Sequence, residues 1–210
     1  MKCISLSALL IPLTVSVLLS GCVLGERHLT LKIPKGPSAS VKGDVAIATV
    51  VDSRRFEDKP SDPSTPSVDG KVASKTKSEL SQLVGRQRNG YGHAMGGIGL
   101  GGGRTMPDVM RELVSEGFSR RGYATKATSQ NRVHVDVEKF WAWMTPGMWS
   151  LGFEAQIESS LSYKGRNFRV RGAAYNGGQF AKNANWEEAY EMAFEDFLKN
   201  LNTELERCAR

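Results

Sequence analysis

Two periodicities organise the chain. From Val133 onward residues alternate with a period of two: Val133, Val135 and Val137 against His134, Asp136 and Glu138, then Phe153, Ala155, Ile157, Ser159, Leu161 and Tyr163 against Glu154, Gln156, Glu158, Ser160, Ser162 and Lys164. Lys164-Gly165-Arg166 turns the chain, and Phe168, Val170 and Gly172 alternate with Arg169 and Arg171. A period of two with one polar face predicts a three-strand antiparallel meander. Two other stretches repeat at helical spacing. Met110, Leu113, Val114, Gly117 and Phe118 form one stripe, with Pro107 suited to the first turn and Gly122 to the stop. Trp186, Ala189, Tyr190, Ala193, Phe194, Phe197, Leu198, Leu201 and Leu205 form a second, with Asn185 as N-cap and Glu188 three residues on.

Shorter signals complete the order. Val45 to Val51 is a β-branched run suited to a buried strand, and Asp52-Ser53-Arg54 ends it. Leu80, Leu83 and Val84 lead into Gly85 to Arg88 and then Asn89-Gly90, a turn signal; Gly96 to Gly103 reads as a flexible hairpin or loop. Residues 57–79 are rich in Pro and Ser and poor in apolar side chains, which predicts a mobile, dispensable loop. The architecture that buries both helical stripes is an α+β two-layer domain. It has a mostly antiparallel sheet (strand, hairpin, helix, three-strand meander, C-terminal helix) with both helices on one face. Its expected bounds are 44–206, after a tether over 22–43 that pairs as an edge strand near residues 28–33.

The first 21 residues read differently. Lys2 precedes a charge-free apolar run from Cys3 to Leu19, the layout of a cleavable secretion signal. The run ends Leu19-Ser20-Gly21-Cys22, which resembles the bacterial lipobox. This predicts cleavage between Gly21 and Cys22 and lipidation of the Cys22 thiol. Small residues let the peptidase cut beside the bulky adduct, and two or more acyl chains anchor a protein stably. The rival is an uncleaved membrane span, against which Pro12 and the lipobox both count. Val23, rather than Asp, favours the outer membrane by similarity to lipoprotein sorting, with the domain facing the periplasm. Cys3 and Cys22 are then spent, so Cys208 has no partner within the mature chain; it is free or pairs between molecules.

The order of elements and several local sequences resemble the YajG family of Gram-negative lipoproteins. The similar features are the lipobox, Val51-Asp52-Ser53-Arg54, Val84-Gly85 with Arg88-Asn89-Gly90-Tyr91-Gly92, the helix running into Arg121-Gly122-Tyr123, the meander and the terminal helix, over roughly residues 44–205. The Pro/Ser insert after Arg55 and the length of the glycine stretch depart from it. The resemblance implies an outer-membrane lipoprotein with no catalytic residues to carry over.

Composition changes this picture little. The net charge of +6 falls by one when Lys2 leaves, and the basic residues form no long run, so nucleic acid is not an expected partner. Gly97-Ile98-Gly99-Leu100-Gly101-Gly102 fits Gly-x-Gly-x-x-Gly, yet lacks the buried strand a dinucleotide site needs before it. His28, His93 and His134 show no metal spacing, and no nucleophile-elbow sequence exists, so no cofactor, metal or catalytic residue is expected. Lys164, Arg166, Arg169 and Arg171 form a basic stripe, read as a solvated sheet face rather than an anion site.

The candidate contact site is Trp141, Trp143, Met144, Met148 and Trp149, around a Pro-Gly turn. Exposed, these would enter a membrane interface or grip a partner. Buried, Trp141 and Trp143 would share one strand face and cover the helices. The expected function is a non-enzymatic binding or docking module. Its partners are the membrane, through the lipid on Cys22, and an envelope protein, glycan or lipid. An accessory lipoprotein of an envelope transport or assembly complex is the alternative. An enzyme ranks third, for want of an acid, base and nucleophile set.

Overall fold

The computed structural model describes residues 25–37, 39–89, 93–147 and 149–208. The signal segment, Gly21, Cys22, Gly90 of the expected turn and Met148 of the candidate contact site lie outside these. The elements are β1 (Arg27–Leu29), β2 (Gly43–Asp52), α1 (Lys77–Gln82), β3 (Leu83–Arg88), β4 (Ala94–Leu100), α2 (Met106–Arg120), β5 (Tyr123–Thr125), β6 (Arg132–Pro146), β7 (Leu151–Tyr163), β8 (Arg166–Gly178) and α3 (Asn183–Cys208).

The fold is α+β, with one eight-stranded sheet. Strand β6 is its spine. Along one edge it pairs antiparallel with β7, which pairs antiparallel with β8, giving the meander the alternation predicts. Its other edge is shared. The first half runs parallel to β2, from Arg132 to Val137, and the second half parallel to β3, at Ala142 and Trp143. Outside these lie β5 beside β2, β4 beside β3, and β1 beside β4. The long antiparallel pairings belong to the meander and the β3–β4 hairpin; the remainder of the sheet is parallel.

Both long helices pack on one face. Thr105 caps α2: Asp108 Oδ2 accepts from its amide (2.9 Å) and its hydroxyl (2.7 Å), and Gly122, with φ 84°, lets the chain leave. Helix α3 begins at Asn183, two residues before the expected cap. Glu188 does not close a capping box there; it accepts from Asn176 Nδ2 of β8 at 2.9 Å, joining helix to sheet. Gly172 of β8 permits this closeness, since a Cβ there would come within 2.6 Å of Phe197 Cβ. Phe153 of β7 meets Trp186 edge-on at 5.0 Å, inside a core that also holds Phe194, Phe197 and Phe118.

Five residues of the glycine stretch are strand, the second arm of a hairpin with β3, and Gly101 to Gly103 form the turn that follows. Gly96 to Leu100 lie in β4, paired to β3 and, from Ile98, to β1; Ile98 and Leu100 face the core. Low β-propensity hides such a strand. What permits it is crowding, because a Cβ on Gly97 would press on Leu83 and one on Gly99 on His28.

The packed body also begins earlier than residue 44. Leu29, Leu31 and Ile33 are buried in the main core. Glu116 of α2, itself buried, clasps the following turn by accepting from the Gly36 amide (2.9 Å), Lys35 Nζ (3.2 Å) and Arg120 Nε (3.1 Å). Burial pushes the Glu116 carboxyl up, but these donors together hold it below the usual carboxylate range. A depressed folded value stabilises the protein above the unfolded carboxylate pKa, and that contribution is lost as pH falls through the folded value. Glu116→Gln is expected to cost about 1–3 kcal/mol at neutral pH and to flatten the acid limb of the stability profile. Denaturant melts between pH 3 and pH 7 check this, and an unchanged acid limb would contradict it.

Candidate functional site

The two tryptophans of β6 lie on the face opposite the helices. The cause is a register shift between Val137 and Lys139, a β-bulge that reverses the alternation. Before it Val133, Val135 and Val137 face the helices; after it Phe140, Ala142 and Met144 do. Trp141 and Trp143 therefore join a second cluster with Val68 and Leu83, edged by Phe56, Val72 and Leu80. The cover is the segment predicted to be mobile. Trp141 Nε1 donates to Pro63 O at 3.3 Å and its ring meets Phe56 edge-on at 5.9 Å, while Pro66, Ser67 and Val68 are buried. A few well-placed apolar side chains and backbone bonds, such as Glu57 N to Pro66 O at 2.9 Å, hold this strap down.

Arg54 secures the strap at its root. Its guanidinium donates to Asp52 (2.8 and 2.7 Å), Leu83 O (2.6 Å), Phe140 O (3.1 Å) and Leu80 O (2.9 Å). Phe140 lies where β6 passes from β2 to β3, so Arg54 satisfies a carbonyl between two strand neighbours.

Of the candidate contact residues, Trp141, Trp143 and Met144 are thus core and unavailable to a partner. Trp149 is 89% exposed. Two exposed aromatics that sequence reasoning did not single out accompany it at the same end of the meander: Tyr175, whose ring lies over Gly152, and Phe180, just past Gly178. Gly25 lies at this end too. Its carbonyl accepts from Gln87 near the end of β3, and Arg27 Nη1 reaches Asn183 Oδ1 (3.0 Å) at the start of α3.

The strap also encloses a cleft of about 420 Å³, lined by Asp58, Lys59, Ser67, Asp69, Arg86, Arg88 and His93. Arg86 and Arg88 alternate on β3 and point under the strap, both buried. Arg86 Nη2 pairs with the exposed Asp69; Arg88 Nη2 donates to Pro60 O at 3.2 Å. Burial lowers the pKa of Arg88, the charge of Arg86 lowers it further, and Asp62 acts in the opposite direction. Asp62 is held below its usual range first by the Ser64 amide and hydroxyl. The only signal that could have marked this site was two arginines two apart in a short strand, which reads as solvated charge.

The other candidates stay apart. His134 Nδ1 is 2.8 Å from Thr49 Oγ1 on the open sheet face, His93 is at the cleft, and His28 is in β1. Among the described residues no three His, Cys, Asp or Glu gather as metal ligands. In the basic stripe Arg169 pairs with Glu138 (2.6 Å) and Arg171 with Glu158 (3.2 Å). Cys208 is a free, half-buried thiol.

No family model matches the chain, and no curated protein matches it. Among solved structures it is similar to protein XCC0632 from Xanthomonas campestris, of the DUF330 family, at 14% identity over 88% of this chain and 99% of that one, with a TM-score of 0.44. It is also similar to an uncharacterised protein at 8% identity, over 86% of this chain and 97% of that one, with a TM-score of 0.43.

Proposed function

We propose that this chain is a lipoprotein anchored through Cys22 to the bacterial outer membrane, a non-enzymatic binding module akin to the YajG family. The lipobox and Val23 support the anchor and its destination. The observation that carries the docking role is a coincidence of position. The exposed aromatics Trp149 and Phe180 lie at the end of the sheet from which Gly25 leads back to Cys22. Three peptide steps reach about 10 Å at most, so a lipid on Cys22 brings that end close to the bilayer. Trp suits such an interface, apolar in body and polar at one edge.

Two measurements test this. Metabolic labelling with a fatty-acid probe is expected to mark the wild type and not Cys22→Ser; equal labelling removes the anchor. In vesicles containing brominated lipid, the wild type is expected to lose fluorescence that Trp149→Phe does not lose, since Trp141, Trp143 and Trp186 are buried. If quenching is the same with and without Trp149, the aromatic end does not meet the bilayer, whatever the labelling result.

A further inference from the structure

We infer that the cleft under the strap binds a phosphate-class oxyanion between Arg86, Ser67 and the neighbouring Arg88. The fold supplies its own comparison. Arg54 is buried beside the same strap and has an acceptor at every guanidinium nitrogen. Among the described residues Arg86, 4% exposed, has one acceptor, Asp69, and its Nε and Nη1 have none; nor has the buried Ser67 hydroxyl at the same cleft. Buried donors on a charged group are costly to leave without acceptors, so the arrangement fits a partner that arrives with oxygens and negative charge.

Local charge agrees. Lys59, Arg86 and Arg88 line the cleft against two carboxylates. Asp69 is engaged by Arg86, and Asp58 accepts from the Val72 amide at 2.7 Å. A carboxylate ligand offers two coplanar oxygens, enough for one guanidinium fork. A phosphate offers oxygens in a tetrahedron, able to meet Arg86 and Ser67 from different directions. The cleft rim at Arg88, His93 and Ala94 lies at the end of β3 and β4 that also holds Gly25. A lipid headgroup is therefore one source of the phosphate and a soluble phosphate ester the other. Only the lipid source rests on the anchoring reading above.

The test is calorimetric titration of the full-length protein in nonionic detergent, at constant ionic strength in chloride. The probes are inorganic phosphate and dihexanoyl phosphatidate. Saturable binding of at least one probe is expected. Arg86→Lys, which keeps the charge and loses the fork, should weaken it about tenfold. Asp69→Asn removes a competing carboxylate from an exposed position and should strengthen it, while melting midpoints confirm that each variant folds. Tighter binding of phosphatidate assigns the site to a headgroup, and tighter binding of inorganic phosphate to a soluble ester; either supports the oxyanion site. No saturable binding to the wild type or to Asp69→Asn overturns it, as does wild-type affinity in Arg86→Lys. Fatty-acid labelling of the same preparation separates this from the anchor: binding without label would leave the site standing and remove the membrane reading.

Discussion

Replacing Phe194 and Phe197 together by alanine is expected to leave the protein largely unfolded at room temperature. Both side chains are fully buried in the middle of α3. Phe194 packs against Phe140 at 6.0 Å and Tyr190 at 5.8 Å, and Phe197 lies over Gly172, where no side chain stands between helix and strand. Each truncation forfeits transfer energy and leaves a cavity, costing about 3–5 kcal/mol. A domain has only about 5–15 kcal/mol to lose. Tyr190 shares the region and donates its hydroxyl to Val84 O, so the damage extends to β3. Thermal melts of the single and double variants decide the matter. An unchanged midpoint in the single variants would mean that the stripe serves a partner on a free-standing helix.

The second large effect concerns the strap. Replacing residues 57–79 by a short Gly-Ser bridge is expected to lower the melting midpoint by roughly 10 °C. The bridge is short because Arg54 already touches Leu80 O at 2.9 Å, so both ends of the deletion are close. What is lost is the roof over Trp141 and Trp143, two large side chains worth about 2 kcal/mol or more each when buried. Trp141 also loses its acceptor at Pro63 and Arg86 its carboxylate at Asp69. Tryptophan emission should shift to the red in the folded state. A normal midpoint with unshifted emission would show that the strap contributes no packing, the outcome composition alone suggests.

These two segments mark the range of what the sequence makes legible. The α3 stripe is unbroken and the β7 alternation is interrupted on its inner face by Ser159 alone, so burial on one side is their only outcome. Three features escaped for separate reasons. A bulge adds one residue without a signature of its own, so extending the valine alternation past Val137 put the tryptophans on the wrong face. The strap and its two roots carry four apolar anchors, Val68 and Val72 within it and Phe56 and Leu80 at its ends, too far apart to form a pattern. The β4 glycines are required by crowding from neighbours that only the fold brings near. The cleft escaped with the strap, because Arg86 and Arg88 read as solvent-facing until something covers them. Of the candidate contact residues the sequence left open between core and surface, Trp149 is exposed, while Trp141, Trp143 and Met144 are core.

The N-terminal strand has a consequence for the order of events during synthesis. His28 O accepts from Asn183 Nδ2, and the Thr30 amide donates to Glu187, partners 155 and 157 residues away. At about 5–20 residues per second, these partners follow roughly 8–30 s after β1 emerges. The meander closes through short turns and can form early, and β1 can pair with β4 once that strand is made, whereas its ties to α3 must wait for the last helix. Throughout that interval His28 and Thr30 lack their partners on α3. The docking of the C-terminal helix then completes the hold on an N-terminal strand that had rested on β3 and β4 alone.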